Sequence, residues 1–253
     1  MKIFAFIPAR YDSTRFPGKP LKSICGKPMI QHVYERAKAA RQIAELYVTT
    51  DDERIYQCVL DFGGKAILTG RDHTSGTDRI AEAASKTSLT KDDLVVNIQG
   101  DQPTMDYRCI SYLIRPFIDN RDVLMSTLVF RVADEEGVND PRNPKHVKTV
   151  MNKEGFALFF SRAPIPYYRD PGTERIYFKH LGFYAYRSEF LRTFASLPVG
   201  ESENAEKLEQ LRAVEYGYKI KIIESPYDSF EVDHPDDIRI AESILAKESA
   251  QRR

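Results

Sequence analysis

Through the first half of the chain, short apolar runs alternate with amphipathic stretches, leaving room each time for a strand, a loop and a helix. Residues 3–7 form an apolar run that Pro8 stops, and a run of that length between breakers reads as a buried strand. Residues 29–41 carry Ile30, Val33, Ala37 and Ala40 on one helical face. Residues 46–49 read as a second strand ending in Thr50-Asp51-Asp52, with Asp51 placed to cap a helix bearing Ile55, Cys58 and Val59. Residues 66–68 read as a third strand, 70–77 as a polar loop, 80–84 as a helix, and 94–98 as a strand ending in Gln99-Gly100-Asp101. This alternation predicts an α/β fold with a mostly parallel central sheet, helices on both faces and right-handed crossovers.

The second half changes character. Residues 123–132, 147–151, 156–161 and 181–186 read as strands with fewer helices between them, amid a dense run of Phe and Tyr. This predicts a smaller mixed-sheet lobe, approximately residues 123–200, within a single domain spanning 1–253. Residues 205–216 read as one helix, 220–223 and 230–232 as strands, and 235–248 as a closing helix with Pro235 in its first turn.

Composition narrows the partners. The 37 basic and 37 acidic side chains cancel, so no basic excess points to nucleic acid. No apolar stretch reaches the roughly 20 residues needed to span a membrane. The three cysteines, Cys25, Cys58 and Cys109, lack zinc-ligand spacing and read as reduced, mostly buried thiols, as expected in the cytoplasm.

In an open α/β sheet, ligands gather beyond the carboxyl ends of the strands. Three polar segments fall there. The loop after the first strand holds Arg10, Ser13, Thr14, Arg15, Gly18 and Lys19. Forked guanidinium donors, hydroxyls and a compact ammonium suit a polyphosphate. The spacing is not that of a Walker A loop. The second segment contains Ser75 and Arg79, and the third Gln99 and Asp101. Asp101 and Asp233 each follow an apolar run; either can cap a turn, and together they can hold a magnesium ion, which favours a few carboxylates plus substrate phosphates. His180 and Tyr184, four apart in an expected strand, fall on one face, as a packed pair or as part of a pocket. Arg162 follows a strand and can meet a carboxylate. Glu209 and Gln210 are polar positions in an apolar-periodic helix, with surface placement the default.

The segments Ile-Pro-Ala-Arg-Tyr-x-Ser-Thr-Arg-x-Pro-Gly-Lys-Pro-Leu, Ser75-Gly76-Thr77-Asp78-Arg79, Asn97-Ile98-Gln99-Gly100-Asp101, Lys179-His180-Leu181-Gly182, residues 206–212 and Val232-Asp233 resemble, in order, those of the CMP-Kdo synthetases (3-deoxy-manno-octulosonate cytidylyltransferases). The resemblance runs from Met1 to about Ile240. It implies a Rossmann-like nucleotidyltransferase fold of the GT-A-like kind, a cytoplasmic homodimer, and transfer of CMP from CTP to a Kdo-like sugar acid for lipopolysaccharide synthesis. It further implies that Arg10, Arg15 and Lys19 bind the CTP phosphates, with Ser13 and Thr14 lining the loop. Ser75 and Arg79 belong to the segment reading cytosine and ribose or touching the sugar acid. Asp101 and Asp233 bind Mg2+, and Gln99, Arg162, His180, Tyr184, Glu209 and Gln210 form the sugar-acid pocket. Lys19, Arg10, Asp101 and Asp233 are its catalytic set.

Asp78 and Gln102 stand where Glu is usual in that family, and Tyr167 where Trp is frequent. With Asp228-Ser229, these departures resemble the branch using an 8-amino-3,8-dideoxy analogue. Two other readings are a CMP-sialate-type synthetase, which shares the first loop, and a non-catalytic nucleotide-binding module. Sugar-1-phosphate nucleotidyltransferases usually carry a GxGTRL-type loop, absent here.

Overall fold

The first apolar run becomes β1 (Ile3–Pro8) in a computed structural model that describes residues 1–12, 15–73, 75–170 and 172–251. The chain divides into two compact units, Met1–Ile110 with Ser229–Arg253, and Ser111–Asp228.

In the first unit, β1 leads through a single 3-10 turn (Lys19–Leu21) to a two-residue hairpin of β2 (Ser23–Ile24) and β3 (Lys27–Pro28). Next come α1 (Met29–Lys38), β4 (Glu45–Thr50), α2 (Glu53–Asp61), β5 (Ala66–Leu68), α3 (Gly76–Ser85) and β6 (Leu94–Asn97). The strands lie in the order β6-β1-β4-β5, all parallel. Parallel pairing sends the loops after β1, β4 and β6 out of one edge, as the alternation requires. α1 buries Met29, Ile30, Val33, Tyr34 and Ala37, the helical-period face read from the sequence. Asp52, not Asp51, caps α2, accepting from the Arg54 backbone N–H. Asp51 instead meets the Arg79 guanidinium at 3.1 Å, so a buried cation claimed the carboxylate expected to cap.

The second unit holds all but the first two residues of α4 (Cys109–Asp119), then β7 (Met125–Ala133), β8 (Lys148–Met151), β9 (Ala157–Ser161), β10 (Ile176–Arg187), α5 (Ser188–Ser196), α6 (Glu201–Glu206), α7 (Gln210–Glu215) and β11 (Ile220–Glu224). β10 runs antiparallel to β7 and β8, β9 antiparallel to β8, and β11 parallel to β7, so this sheet is mixed as expected. The single helix expected over 205–216 is two helices. Lys207 adopts a left-handed conformation (φ 54°) that ends α6, and Glu203 grips Arg212 through paired contacts of 2.7 and 2.6 Å across the break.

The chain then returns to the first unit. Residues 230–232, expected as a strand, form no ladder. Val232 donates to the Asp101 carbonyl at 2.9 Å and Phe230 to Thr104 Oγ1 at 2.9 Å, which fixes the segment against the loop after β6. The closing helix α8 (Asp237–Gln251) starts later than expected. Asp237 accepts from the Asp233 and His234 backbone N–H groups at 2.8 Å each, leaving Pro235 in the preceding turn. Phe16, Ile24, Met29, Phe230, Val232, Ala241 and Leu245 form one buried cluster, so the cation-rich loop, the hairpin and the returning segment share a core.

Backbone proximity decides one residue outright. A Cβ on Gly100 would sit 2.7 Å from the Pro8 carbonyl oxygen, because the loops after β1 and β6 run against each other. Gly100→Ala should therefore lower stability by about 1–3 kcal/mol through enforced backbone displacement. A thermal midpoint matching the parent's would show that the loops can separate without cost.

Candidate functional site

Residues 8–12 leave β1 and double back. Gly18 donates to the Tyr11 carbonyl at 2.8 Å, with φ of 68° and the Tyr11 ring 3.1 Å from where its Cβ would lie, so a side chain there would be strained and crowded. This turn aims Lys19 at the loop after β6. Its ammonium lies 2.7 Å from Asp101 Oδ2 and 3.4 Å from Asp233 Oδ1, and Arg15 reaches Asp233 Oδ2 at 3.2 Å. Asp233 is buried and held there by the Val232–Asp101 backbone contact.

A third carboxylate, Glu231, joins them: one oxygen each from Asp101, Glu231 and Asp233 lie within 4.8 Å of one another. Like charges this close repel, and Lys19 offsets them. Burial alone would depress its pKa, but the charge and hydrogen bond of Asp101, then the charges of Asp233 and Glu231, outweigh burial and raise it. The oxygen-only donor set has the chemistry that suits a hard divalent cation. Arg10, Arg15, Lys19, Gln99, Gly100 and Asp101 line a cavity of about 360 Å3, which puts three cations beside the carboxylates. Ser13 and Thr14 lie outside the described residues.

Ser75 caps α3, its Oγ accepting from the Asp78 backbone N–H at 3.0 Å. Arg79 is wholly buried, donating to Thr69 Oγ1 at 2.5 Å and facing Asp51. Its charge is thereby engaged in bracing the ends of β4 and β5.

In the second unit, β10 carries His180 and Tyr184. Four residues of β10 span two of β7 there, with Gly182 at φ 75°. The surplus is even, so both side chains keep one face, with ring centroids 5.4 Å apart. His180 also meets Phe160 edge-on at 5.0 Å. Thr127 donates to the Phe183 carbonyl (2.7 Å), so toward His180 Nε2, 2.9 Å away, its oxygen accepts. The proton then sits on Nε2, and Nδ1 is an acceptor. Burial pushes the His180 pKa down to about 3 and the Tyr184 phenol well up, the latter aided by Tyr186 and Glu209.

Gln210 is buried, against the surface placement expected, and its Nε2 has no hydrogen-bond partner among the described residues. A donor left so costs about 1–3 kcal/mol, which an incoming acceptor would recover. Glu209 precedes it at the start of α7. Arg162 does meet a glutamate, but through backbone contacts: its Nε donates to the Glu206 carbonyl (2.8 Å) and its N–H to Glu206 Oε2 (3.0 Å). Cys25 is exposed, not buried as expected; Cys58 is intermediate and Cys109 buried.

Sequence reasoning missed Glu231 and Thr127, and the pairing of Asp51 with Arg79 and of Glu206 with Arg162. Glu231 had a signal: the spacing Glu-Val-Asp in an extended segment puts both carboxylates on one side.

The chain belongs to the cytidylyltransferase family, whose sequence model matches residues 4–222. It is therefore a nucleotidyltransferase, an enzyme with the α/β fold described above. It is 53% identical to the 8-amino-3,8-dideoxy-manno-octulosonate cytidylyltransferase of Shewanella piezotolerans, across 97% of this chain and 99% of that one. It is 49% identical to the 3-deoxy-manno-octulosonate cytidylyltransferase of Syntrophus aciditrophicus, across 96% and 97%. A solved CMP:2-keto-3-deoxy-manno-octonic acid synthetase complexed with CTP matches with a TM-score of 0.89 at 42% identity, covering 98% of this chain and 100% of that one. A Leptospira borgpetersenii cytidylyltransferase shares the fold alone, with a TM-score of 0.64 at 16% identity over 98% and 87% of the two chains.

Burial of the neutral His180 ring links folding to pH. Its folded pKa lies below the ordinary 6.5, so the stability tied to neutral imidazole is complete above pH 6.5 and drains as pH falls toward 3. His180→Phe removes that linkage. The stability difference between parent and variant, from urea midpoints, should move in the variant's favour as pH drops from 7 to 4; a constant difference would contradict the shift.

Proposed function

We propose that this enzyme transfers CMP from CTP to a sugar acid of the 3-deoxy-manno-octulosonate type, with a hydroxyl or an amine at C8, and releases pyrophosphate. The observation that carries the reading is the cavity after β1 and β6, lined by Arg10, Arg15, Lys19 and Asp101, with Lys19 on Asp101 and both Lys19 and Arg15 on Asp233. The anomeric hydroxyl oxygen bonds to the α-phosphorus and the bond from that phosphorus to the β-phosphate oxygen breaks. Such transfer rests on positioning and charge stabilisation more than on covalent help from the protein. Arg10, Arg15 and Lys19 take up the charge of the leaving pyrophosphate, with Ser13 and Thr14 assigned to the same loop. Ser75 and Arg79 are assigned to the nucleotide side of the site, by fixing the start and the seat of α3, and Gln99, which lines the cavity, is assigned to both nucleotide and sugar acid.

Asp101 and Asp233, with Glu231 beside them, are the residues that would hold magnesium; their hard oxygen donors fit it. When bound, such an ion polarises phosphate oxygens as a Lewis acid. His180, Tyr184, Arg162, Glu209 and Gln210 are assigned to the sugar acid. The Gln210 amide, buried with an unused donor, supports this, as does the acceptor nitrogen of His180 on the same unit. The reading includes a role in lipopolysaccharide synthesis, a cytoplasmic location and a homodimer, the last tested by sedimentation. Among the described residues no helix is long and apolar enough to cross a membrane.

The test is a pyrophosphate-release panel crossing CTP and UTP with the octulosonate, its 8-amino analogue and sialic acid, with and without magnesium. Turnover with CTP and an octulosonate is expected, and the C8 arm shows which form is preferred. Activity confined to sialic acid would overturn the reading, and no turnover with any acid would favour a binding module. Asp101→Asn should lose about three orders of magnitude in rate with the fold intact, the scale of removing a key electrostatic group. Lys19→Ala should raise the KM for CTP or lower kcat; unchanged values of both would remove Lys19 from the phosphate site.

A further inference from the structure

The cation expected between Asp101 and Asp233 and the ammonium of Lys19 want the same oxygens. Lys19 Nζ sits 2.7 Å from Asp101 Oδ2 and 3.4 Å from Asp233 Oδ1, and its side chain is only 14% exposed, so the pairing is weakly screened by water. Magnesium binds carboxylate oxygens at about 2.0–2.1 Å. An ion on Asp101 Oδ2 and an ammonium still within hydrogen-bond distance of it would be two like charges in contact on one poorly hydrated oxygen.

The Lys19 backbone is fixed, its N–H donating to the Phe16 carbonyl and its own carbonyl accepting from Lys22. Only the side chain is free to change partner. It lines the same cavity as Arg10 and Arg15, so a triphosphate there offers it a second anion within reach. Arg15, already on Asp233 and 60% exposed in its side chain, faces the same choice.

We propose that Lys19 is the resident counter-cation of the carboxylate cluster, and that its transfer to the nucleotide's phosphates vacates the oxygens a divalent ion needs. Metal and nucleotide are then linked through one side chain: each binds poorly while Lys19 neutralises Asp101 and Asp233, and each favours the other once it moves. This deepens the reading of Asp101 and Asp233 as metal residues and rests on it. Linkage of this kind is reciprocal, typically about 5–150-fold.

Two binding measurements, neither using turnover, test the exchange. In the first, Mn2+ is titrated into the nucleotide-free protein and free Mn2+ is read by electron paramagnetic resonance. Lys19→Met should bind Mn2+ about tenfold or more tightly than the parent, and adding Asp101→Asn should abolish the gain. Lys19→Gln is the alternative should the methionine variant fail to fold. In the second, CTP binding is measured calorimetrically in EDTA across the cycle of parent, Asp101→Asn, Lys19→Met and the double variant. Asp101→Asn should tighten CTP where Lys19 is present, because the ammonium is released, and much less where it is absent. A gain of equal size in both backgrounds is simple relief of repulsion and overturns the exchange. Equal Mn2+ affinity in parent and Lys19→Met overturns it too, leaving the metal assignment standing. No detectable Mn2+ on any of the variants, even at millimolar concentration, overturns both.

Discussion

Three carboxylates within 4.8 Å of one another repel, and the first unit is organised to set a positive charge among them. Phe16 anchors the loop that carries Lys19, Val232 anchors the segment that carries Asp233, and both side chains belong to one buried cluster. The Val232–Asp101 backbone hydrogen bond sets the spacing between the two aspartates. Gly100 permits the loops to touch. Cation and anions thus arrive from three separate stretches of chain, each fixed by apolar packing or by backbone. The side chains that meet in the middle spend no backbone freedom on doing so.

The parallel half of the fold was legible because its signals are local. An apolar run of five ending at Pro8, and helical spacing from Ile30 to Ala37, specify strand and helix without knowledge of the rest. What was misread depended on distant partners. Asp51 looked like a cap until the buried Arg79 is known to need it. Residues 230–232 have strand composition, but their hydrogen bonds run to Asp101 and Thr104 instead of a neighbouring strand. The helix over 205–216 had an unbroken apolar period, and nothing about Lys207 announces a left-handed residue; the break is tolerated because Glu203 and Arg212 bridge it. α4 went unread, its Pro116 arguing against the helix that contains it.

The candidate site divides in the same way. Strand-end cations and carboxylates could be placed from position alone, and Lys19, Asp101 and Asp233 come together in the structure. The residues of the second unit could be named only through resemblance, since a histidine four from a tyrosine reads equally well as packing. The structure adds chemistry that no spacing carries: a tautomer for His180 dictated by the proton of Thr127, and a buried amide on Gln210 with a donor to spare. Glu231 was within reach, since it stands two residues before Asp233 in an extended segment.

The first unit is assembled from both ends of the chain, and Arg15 and Asp233 stand 218 residues apart in sequence. During synthesis the whole second unit leaves the ribosome before the last part of the first does. Until then Phe16, Ile24 and Met29 lack Phe230, Val232, Ala241 and Leu245 to pack against. Until the last segment emerges, the growing polypeptide therefore exposes an unfinished apolar surface and leaves Arg15 without Asp233. The first unit is completed only as the C-terminal helix docks, so a truncation near residue 228 would sacrifice the half that comes first.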